Sequence, residues 1–280
     1  MIAAQEIHPA SFPVPNREED TEITSFSVGG IRIDALQIDE VVRHLLRTDG
    51  PRTVHLCNAY SIASVSKDPN LARSLNQSDL NLPDGKPLVW IARHLGLDWM
   101  SRRVYGPELM ESTLASGREV GTRHYLYGST PDVLNSLQEK IHNTWPGVIV
   151  AGAESPPFRR ASDRELHESV QRMANSHADL VWVGMGTPQQ DELVERFAEI
   201  GHQRFIAIGA AFDFLPGTKR QAPRWMRESG LEWLFRLAAE PRRLWRRYLI
   251  GNLTFLALVG RTKPTVLRDH VRSWTRPPQS

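Results

Sequence analysis

An α/β fold with a Rossmann-like, parallel-rich sheet, helices on both faces and a basic helical C-terminal appendage is what this sequence predicts. Three observations carry that expectation. Short apolar runs alternate with helix-prone stretches of about 10 to 15 residues, the pattern of a parallel sheet covered on both sides. Three of the four strand exits in the second half carry glycine, at Gly128, Gly184 and Gly209. Charge is also segregated: residues 219–280 hold 14 of the 34 Lys and Arg but 4 of the 32 Asp and Glu, which puts a basic tail on an acidic body.

Taken in order, residues 1–24, with prolines at 9, 13 and 15, read as a disordered or loosely packed extension. Phe26 to Leu36 alternates apolar and polar residues, a strand or hairpin turning at Gly29-Gly30. Ile38 to Leu46 has helical spacing, Thr53 to Cys57 is a strand, and Asn58 to Ser61 leads into a helix. Pro69 to Gln77 reads as a short helix. Leu80 to Leu82 is a brief strand stopped by Pro83-Asp84-Gly85, and Pro87 opens a helix over Leu88 to Leu95. Further on, Tyr125 to Tyr127 is a strand, Gly128-Ser129-Thr130-Pro131 a turn, and Asp132 to Asn143 a helix. Val148 to Val150 is a strand, and a helix covers Asp163 to Ser176.

The stretch Leu180-Val181-Trp182-Val183-Gly184-Met185-Gly186-Thr187-Pro188 predicts a buried strand, a glycine turn and a helix running to about Glu199, with Thr187 as N-cap. Phe205 to Ile208 closes the series. The domain reading is therefore an extension over 1–24, an α/β body over 25–227 and an amphipathic basic appendage over 228–280.

The totals narrow the class. At 40% hydrophobic and 24% charged residues the chain is an ordinary globular protein with enough apolar material for a sizeable core. A single cysteine, Cys57, excludes an internal disulfide and a cysteine-based zinc site, and its apolar surroundings read as those of a buried structural thiol. The polar, acidic N-terminus does not resemble a secretory signal. The late apolar segment Leu249 to Gly260 is 12 residues long, short of the ~20 needed to cross a bilayer, so a membrane surface is the nearest approach expected.

Strand exits of a parallel sheet are where ligands bind. Backbone N–H groups at the Gly128 and Gly184-Met185-Gly186 turns, aided by helix dipoles, suit a phosphate, and a structural turn explains the same glycines. Asp84, fixed between Pro83 and Gly85, is placed to act as a general base toward an acceptor hydroxyl, although Pro-Asp-Gly is also ordinary turn chemistry. Asn58 suits either a polar substrate or a helix cap. Asp213, between Phe212 and Phe214, suits a base or ribose, or pairs with an arginine. The histidines show no H-x-x-x-H or H-E-x-x-H grouping, and no D-x-D pair offers to hold a divalent metal on a diphosphate. In the tail, Arg236, Arg243, Arg246 and Arg247 share one side of a helix wherever its axis stays nearly straight. Trp233, Leu237, Leu244, Trp245 and Leu249 interleave with them, a mixture suited to an interface and to phosphate oxygens.

Read together, Asn58, Leu82-Pro83-Asp84-Gly85, Arg103-Val104-Tyr105-Gly106, Gly184 through Asp191, Phe212-Asp213-Phe214, Ala222-Pro223, Leu231-Glu232-Trp233, Arg236 and Glu240-Pro241-Arg242-Arg243 resemble the WecG/TagA/CpsF group of bacterial glycosyltransferases over residues 26–250. The resemblance implies inverting transfer of a sugar, without a metal or other cofactor, from a UDP-sugar to a polyprenyl-diphosphate-linked sugar at the inner face of the cytoplasmic membrane. It implies Asp84 as catalytic base, Asn58 in the active site, Gln190 near the donor, and Arg236, Arg243 and Arg246 over the diphosphate. Arg103, or its neighbour Arg102, matches a further active-site arginine. Gly128, Gly184, Gly186, Gln190 and Asp213 are the expected nucleotide-sugar contacts.

This chain departs from the family pattern at Leu56-Cys57-Asn58, where members often read T-x-N, at Gln221-Ala222-Pro223 for R-A-P, and at Asp191 for glutamate. The donors used in the family are N-acetylmannosamine, N-acetylmannosaminuronate or glucose types. Nothing in the sequence fixes the oligomeric state, and a homo-oligomer is compatible with it. Two other classes stay in view. A nicotinamide-dependent oxidoreductase lacks its third glycine and its ribose-binding acid here, and a nucleic-acid-binding protein would rest on the tail charge alone.

Overall fold

The structure is a computed structural model and describes residues 22–157 and 159–271. Its centre is a six-stranded sheet formed by β3 (Thr53–Cys57), β4 (Leu80–Pro83), β5 (Arg123–Gly128), β6 (Ile149–Glu154), β7 (Leu180–Gly184) and β8 (Arg204–Ala207). The order is β4-β3-β8-β7-β5-β6, and every neighbouring pair is parallel. All six carboxyl ends therefore lie along one edge. The inner strands β3, β7 and β8 are buried almost throughout, β7 through its Leu-Val-Trp-Val run, while the edge strand β6 is only partly covered. In β7, Leu180 and Trp182 enter one core with α1 (Ile38–Leu46), α5 (Gly106–Gly117) and α6 (Pro131–Thr144). Val181 and Val183 enter the opposite core with α7 (Asp163–Asn175) and α8 (Gln189–Ile200).

The connections set the ligand edge. From β5 the chain passes outward through α6 to β6, whereas from β7 it passes through α8 in the other direction to β8. Neighbouring strands whose connections diverge leave a crevice between their carboxyl ends, here at Gly128 and Gly184. At the far end of the same edge, Cys57 O accepts from the Asp84 N–H at 2.8 Å, and Pro83 O accepts from the Val104 N–H at 2.9 Å. These two bonds fold the loop around Arg103 against the end of β4.

Beside the body, β1 (Glu22–Val28) and β2 (Ile31–Asp34) form the expected hairpin through Gly29 and Gly30, both at positive φ. Its apolar face packs with α2 (Ala59–Val65), α3 (Pro69–Gln77) and α4 (Lys86–His94) in a separate core. Two corrections arise here. Residues 22–24, expected to be loose, belong to β1; residues 1–21 lie outside the described residues. The reason is β9 (Thr265–Val271), a strand the sequence reading did not anticipate, which pairs antiparallel with β1.

The tail adds short helices α9 (Ala211–Phe214), α10 (Arg224–Glu228), α11 (Glu232–Ala239) and α12 (Pro241–Trp245), a π-helical turn over Arg246–Ile250, and α13 (Gly251–Thr262). Phe255 of α13 is buried in the hairpin core. The appendage is thus closed onto the body at its far end. Helix α5 was also not anticipated. It is buried at Gly106, Pro107, Leu109, Met110, Thr113, Leu114 and Gly117, so it carries no clean polar stripe to read.

Candidate active site

A cavity of about 920 Å³ opens at the β3/β4 end of the ligand edge, between the body and the appendage. Asn58, Asp84, Arg103, Glu232, Arg236 and Arg247 line its polar part. Trp90, Ile91, Leu95, Phe255, Leu256 and Val259 line its apolar part. Asp84 is the buried chemical group here. Its Oδ1 is buried with no hydrogen-bond partner, while the Gly106 N–H at the start of α5 bonds the carboxylate. Burial pushes its pKa up to about 7, and the Glu232 charge adds to that; Arg103, Arg236 and the Gly106 bond pull the other way. A carboxylate that exchanges its proton near neutrality suits a general base.

Asn58 lines the cavity and also caps α2, its Oδ1 accepting from the Tyr60 and Ser61 N–H groups at 3.0 and 3.2 Å. The cap reading of Asn58 therefore holds, and only its amide nitrogen is left to offer a ligand. Of the two candidate arginines, Arg103 faces the cavity, where it donates to Asp84 O at 3.2 Å and stacks 4.3 Å over the Tyr105 ring. Arg102 is exposed and pairs with Glu108. Cys57 is a buried thiol whose pKa burial raises.

The tail arginines divide. Arg236 lines the cavity and lies 5.2 Å over the Phe214 ring. Arg243 pairs with Glu240 and is exposed, and Arg246 lies over Trp245; neither lines the cavity. Arg247, grouped with them by spacing but not among the arginines the resemblance implies, does, with its guanidinium 4.3 Å over Tyr60 and its Nε buried without a partner. A straight axis would have kept all four on one side. The chain bends at Glu240 (φ −134, ψ 62), and the π turn after Trp245 changes the phase.

The glycine corner lies farther along the same edge and does not line this cavity. The Thr187–Pro188 bond is cis and α8 starts at Gln189, so Thr187 is not the expected N-cap. Instead the Gln190 Oε1 accepts from the N–H groups of Gly186 at 2.8 Å and Gly209 at 3.0 Å, tying the exits of β7 and β8 together. Those two N–H groups are thereby satisfied within the protein. Gly128 (φ +126) has no room for a Cβ, which would lie 2.6 Å from Gly184 O; one at Gly184 would lie 2.6 Å from the Phe212 ring. Asp213 pairs with Lys219 at 3.0 Å rather than with an arginine.

A doubly covered parallel sheet with a buried carboxylate and several guanidinium groups in one amphiphilic cavity at its carboxyl edge has the make-up of an α/β enzyme. The family model described as glycosyl transferase WecG/TagA/CpsF matches residues 26–268, and the chain belongs to that family of glycosyltransferases. It is also similar to the N-acetylglucosaminyldiphosphoundecaprenol N-acetyl-beta-D-mannosaminyltransferase of Bacillus subtilis (strain 168), at 27% identity over 213 residues, 76% of this chain and 80% of the relative.

Proposed function

We propose that this glycosyltransferase moves a sugar of the N-acetylmannosamine type from a UDP-sugar to a polyprenyl-diphosphate-linked N-acetylglucosamine, with inversion, in the synthesis of a bacterial surface polysaccharide. The observation that carries the reading is the Asp84 carboxylate, buried with Oδ1 free inside a cavity lined both by arginines and by apolar side chains. Such a cavity matches a sugar diphosphate attached to a lipid. The B. subtilis relative, by its name, transfers that sugar to that class of acceptor, which favours N-acetylmannosamine among the three donor types.

In this reading Asp84 takes the proton of the acceptor hydroxyl as its oxygen attacks the anomeric carbon from the face opposite UDP. The C–O bond to the diphosphate breaks, and UDP leaves with the electron pair. Arg103, Arg236 and Arg247 stabilise the charge growing on the departing diphosphate, and Asn58 orients the sugar. The donor nucleotide extends along the edge toward Gly128, Gly184, Gly186, Gln190 and Asp213, the crevice where the strand connections diverge. Arg243 and Arg246 face an anionic membrane surface.

Membrane contact has its own support. Leu253 (69% exposed) and Leu256 (63%) stand out of the basic appendage, Trp225 (62%) stands out just before it, and Trp90 (54%) lies at the cavity. Among the described residues no helix is long and apolar enough to cross a membrane, so the proposed association is peripheral.

The test is a thermal-shift screen of UDP-sugars, followed by transfer to a synthetic polyprenyl-diphosphate N-acetylglucosamine on liposomes. We expect UDP release and an inverted linkage with UDP-N-acetylmannosamine. Absence of transfer from every UDP-sugar would remove the reading.

A further inference from the structure

Glu232 is an acid in a place where the substrate reading asks for cations. It projects from α11, in the appendage, into the polar part of the cavity and contacts the Nη2 of Arg103, each side chain being nearly buried at 12% and 14% exposure. The other arm of the same guanidinium donates to the main-chain oxygen of Asp84. Arg103 therefore sits beside Asp84 yet makes no ion pair with its carboxylate, whose Oδ1 stays without a partner. A guanidinium beside a buried carboxylate ordinarily forms a two-pronged pair with it. Here Nη2 is held by Glu232 and Nη1 by the main-chain oxygen of Asp84.

We propose that Glu232 is a positioning residue that holds the Arg103 guanidinium off the Asp84 carboxylate, keeping Oδ1 free for the acceptor hydroxyl. The proposal rests on the reading of Asp84 as the base and extends it, because it makes the base's competence depend on the appendage being seated. An unseated appendage takes Glu232 away, Arg103 turns to Asp84, and the carboxylate becomes a paired anion with little appetite for a proton. The charged and titratable groups around Asp84 are Cys57 from β3, Lys86 from α4, Arg103 and Tyr105 from the preceding loop, and Glu232 and Arg236 from α11. Glu232 is the acid among them, and its field acts in the same direction as its grip on Arg103: both favour the protonated form of Asp84.

The experiment reads Asp84 directly. Protein labelled with carboxyl-¹³C aspartate is titrated by NMR, with the Asp84 resonance assigned by its loss in Asp84→Asn. The wild type should titrate near pH 7. Glu232→Gln should move that midpoint down by about one pH unit or more, and the acid limb of the pH–rate profile should follow it. At pH 7 its kcat should fall at least tenfold with a smaller change in KM. Glu232→Asp, which keeps the charge, should restore the midpoint and part of the rate; it also serves as the test variant if Glu232→Gln does not fold, the proposal then requiring its midpoint to stay near that of the wild type.

An unmoved Asp84 midpoint in a folded Glu232→Gln protein would overturn the proposal, as would a midpoint in Glu232→Asp displaced as far as the glutamine variant's is expected to be. If the midpoint moves as expected but the wild type transfers no sugar, the positioning role stands and the transferase chemistry assigned to Asp84 falls.

Discussion

The two ends of the ligand edge handle their polar groups differently, with one exception: Asp191 Oδ2, in the first turn of α8, is buried without a partner as Asp84 Oδ1 is. At the β3/β4 end, Asp84 Oδ1 and Arg247 Nε are buried without partners around a large cavity. At the β7/β8 end, one glutamine oxygen satisfies the N–H groups of Gly186 and Gly209, and the glycines at 128 and 184 are filled against by Gly184 O and the Phe212 ring. Buried polar groups left unsatisfied cost about 1–3 kcal/mol each, and a fold retains them where a ligand completes them. The difference supports the proposed chemistry at Asp84 and shows that the glycine corner serves close packing of strand against helix. Similar sequence signals, a strand stopped by small or turn-forming residues, thus have different physical content.

The largest effect that could break this contrast is at Asp84. Asp84→Asn should lower transfer by roughly 10²–10⁴-fold, the usual contribution of a positioned base, while leaving UDP binding nearly intact. Its pKa in the folded protein, about 7, lies above the ordinary 3.8. The folded state therefore holds this proton more tightly than the unfolded chain does, and stability falls as pH rises between those two values. The asparagine variant escapes that loss, so its melting temperature at pH 8 should exceed that of the wild type. A variant that turns over normally, or melts lower at pH 8, would return Asp84 to the status of a turn residue.

The join between the two ends comes next. His55, fully buried in β3, contacts Asp191 at 2.9 Å and Glu195 at 3.2 Å, both from α8. Burial alone would lower its pKa, but the bonds to the two carboxylates outweigh burial and raise it to about 9. His55→Gln leaves two acids without their cation and should cost about 3–5 kcal/mol at pH 6. Because the folded pKa is raised, that stabilisation is fully present below the ordinary 6.5 and is lost as pH rises through about 9. Urea unfolding at pH 6 and pH 9.5 should therefore show the gap between wild type and variant closing. A gap of equal size at both values would mean that His55 acts by packing alone.

The appendage sharpens the contrast from the other side. Reading it as a separable tail predicts that a body ending near residue 227 folds normally. The pairing of β9 with β1 and the burial of Phe255 under the hairpin argue otherwise. Phe255→Ala should cost about 3 kcal/mol, and removal of residues 228–280 should lower the melting temperature by more than that single change does. A truncated body that melts like the full chain would restore the separable tail.

Much of this was legible in the sequence, for physical reasons that differ by element. The strands at 53–57, 180–184 and 204–207 announce themselves because burial on both faces demands short, largely apolar runs, broken in the first by His55. Asp84 stands out because Pro83 and Gly85 fix it at a strand exit. Helix α5 did not, since a helix buried on most sides has no polar stripe and therefore no period. Strand β9 was hidden because pairing with β1 is a long-range property; nothing local to Thr265–Val271 names its partner. Spacing groups Arg236, Arg243, Arg246 and Arg247 on one face, but it cannot tell which of them enter the cavity, because a bend at Glu240 and a π turn are invisible to residue counting. Glu232 was read as part of a motif, and only its contact with Arg103 gives it a task.

The smallest expected effects separate the two kinds of glycine at the packed end. At Gly184 the obstacle is space, because a Cβ would stand 2.6 Å from the Phe212 ring, and the ring cannot retreat from a filled core without cost. Gly184→Ala should therefore destabilise by about 1–3 kcal/mol, and should lower transfer only as far as it disturbs the neighbouring Asp213 helix. At Gly186 the obstacle is backbone conformation: φ is +83 and a Cβ would meet nothing within 4 Å. Gly186→Ala should cost only about 1–2 kcal/mol, the ordinary penalty for an L-residue there. Because the donor nucleotide is proposed to reach this corner, and a Cβ at Gly186 would enter open space rather than packed protein, Gly186→Ala should weaken UDP-sugar binding more than it lowers stability. Unchanged binding in a thermal-shift titration of that variant would take the nucleotide away from the corner and leave Gly186 a turn residue.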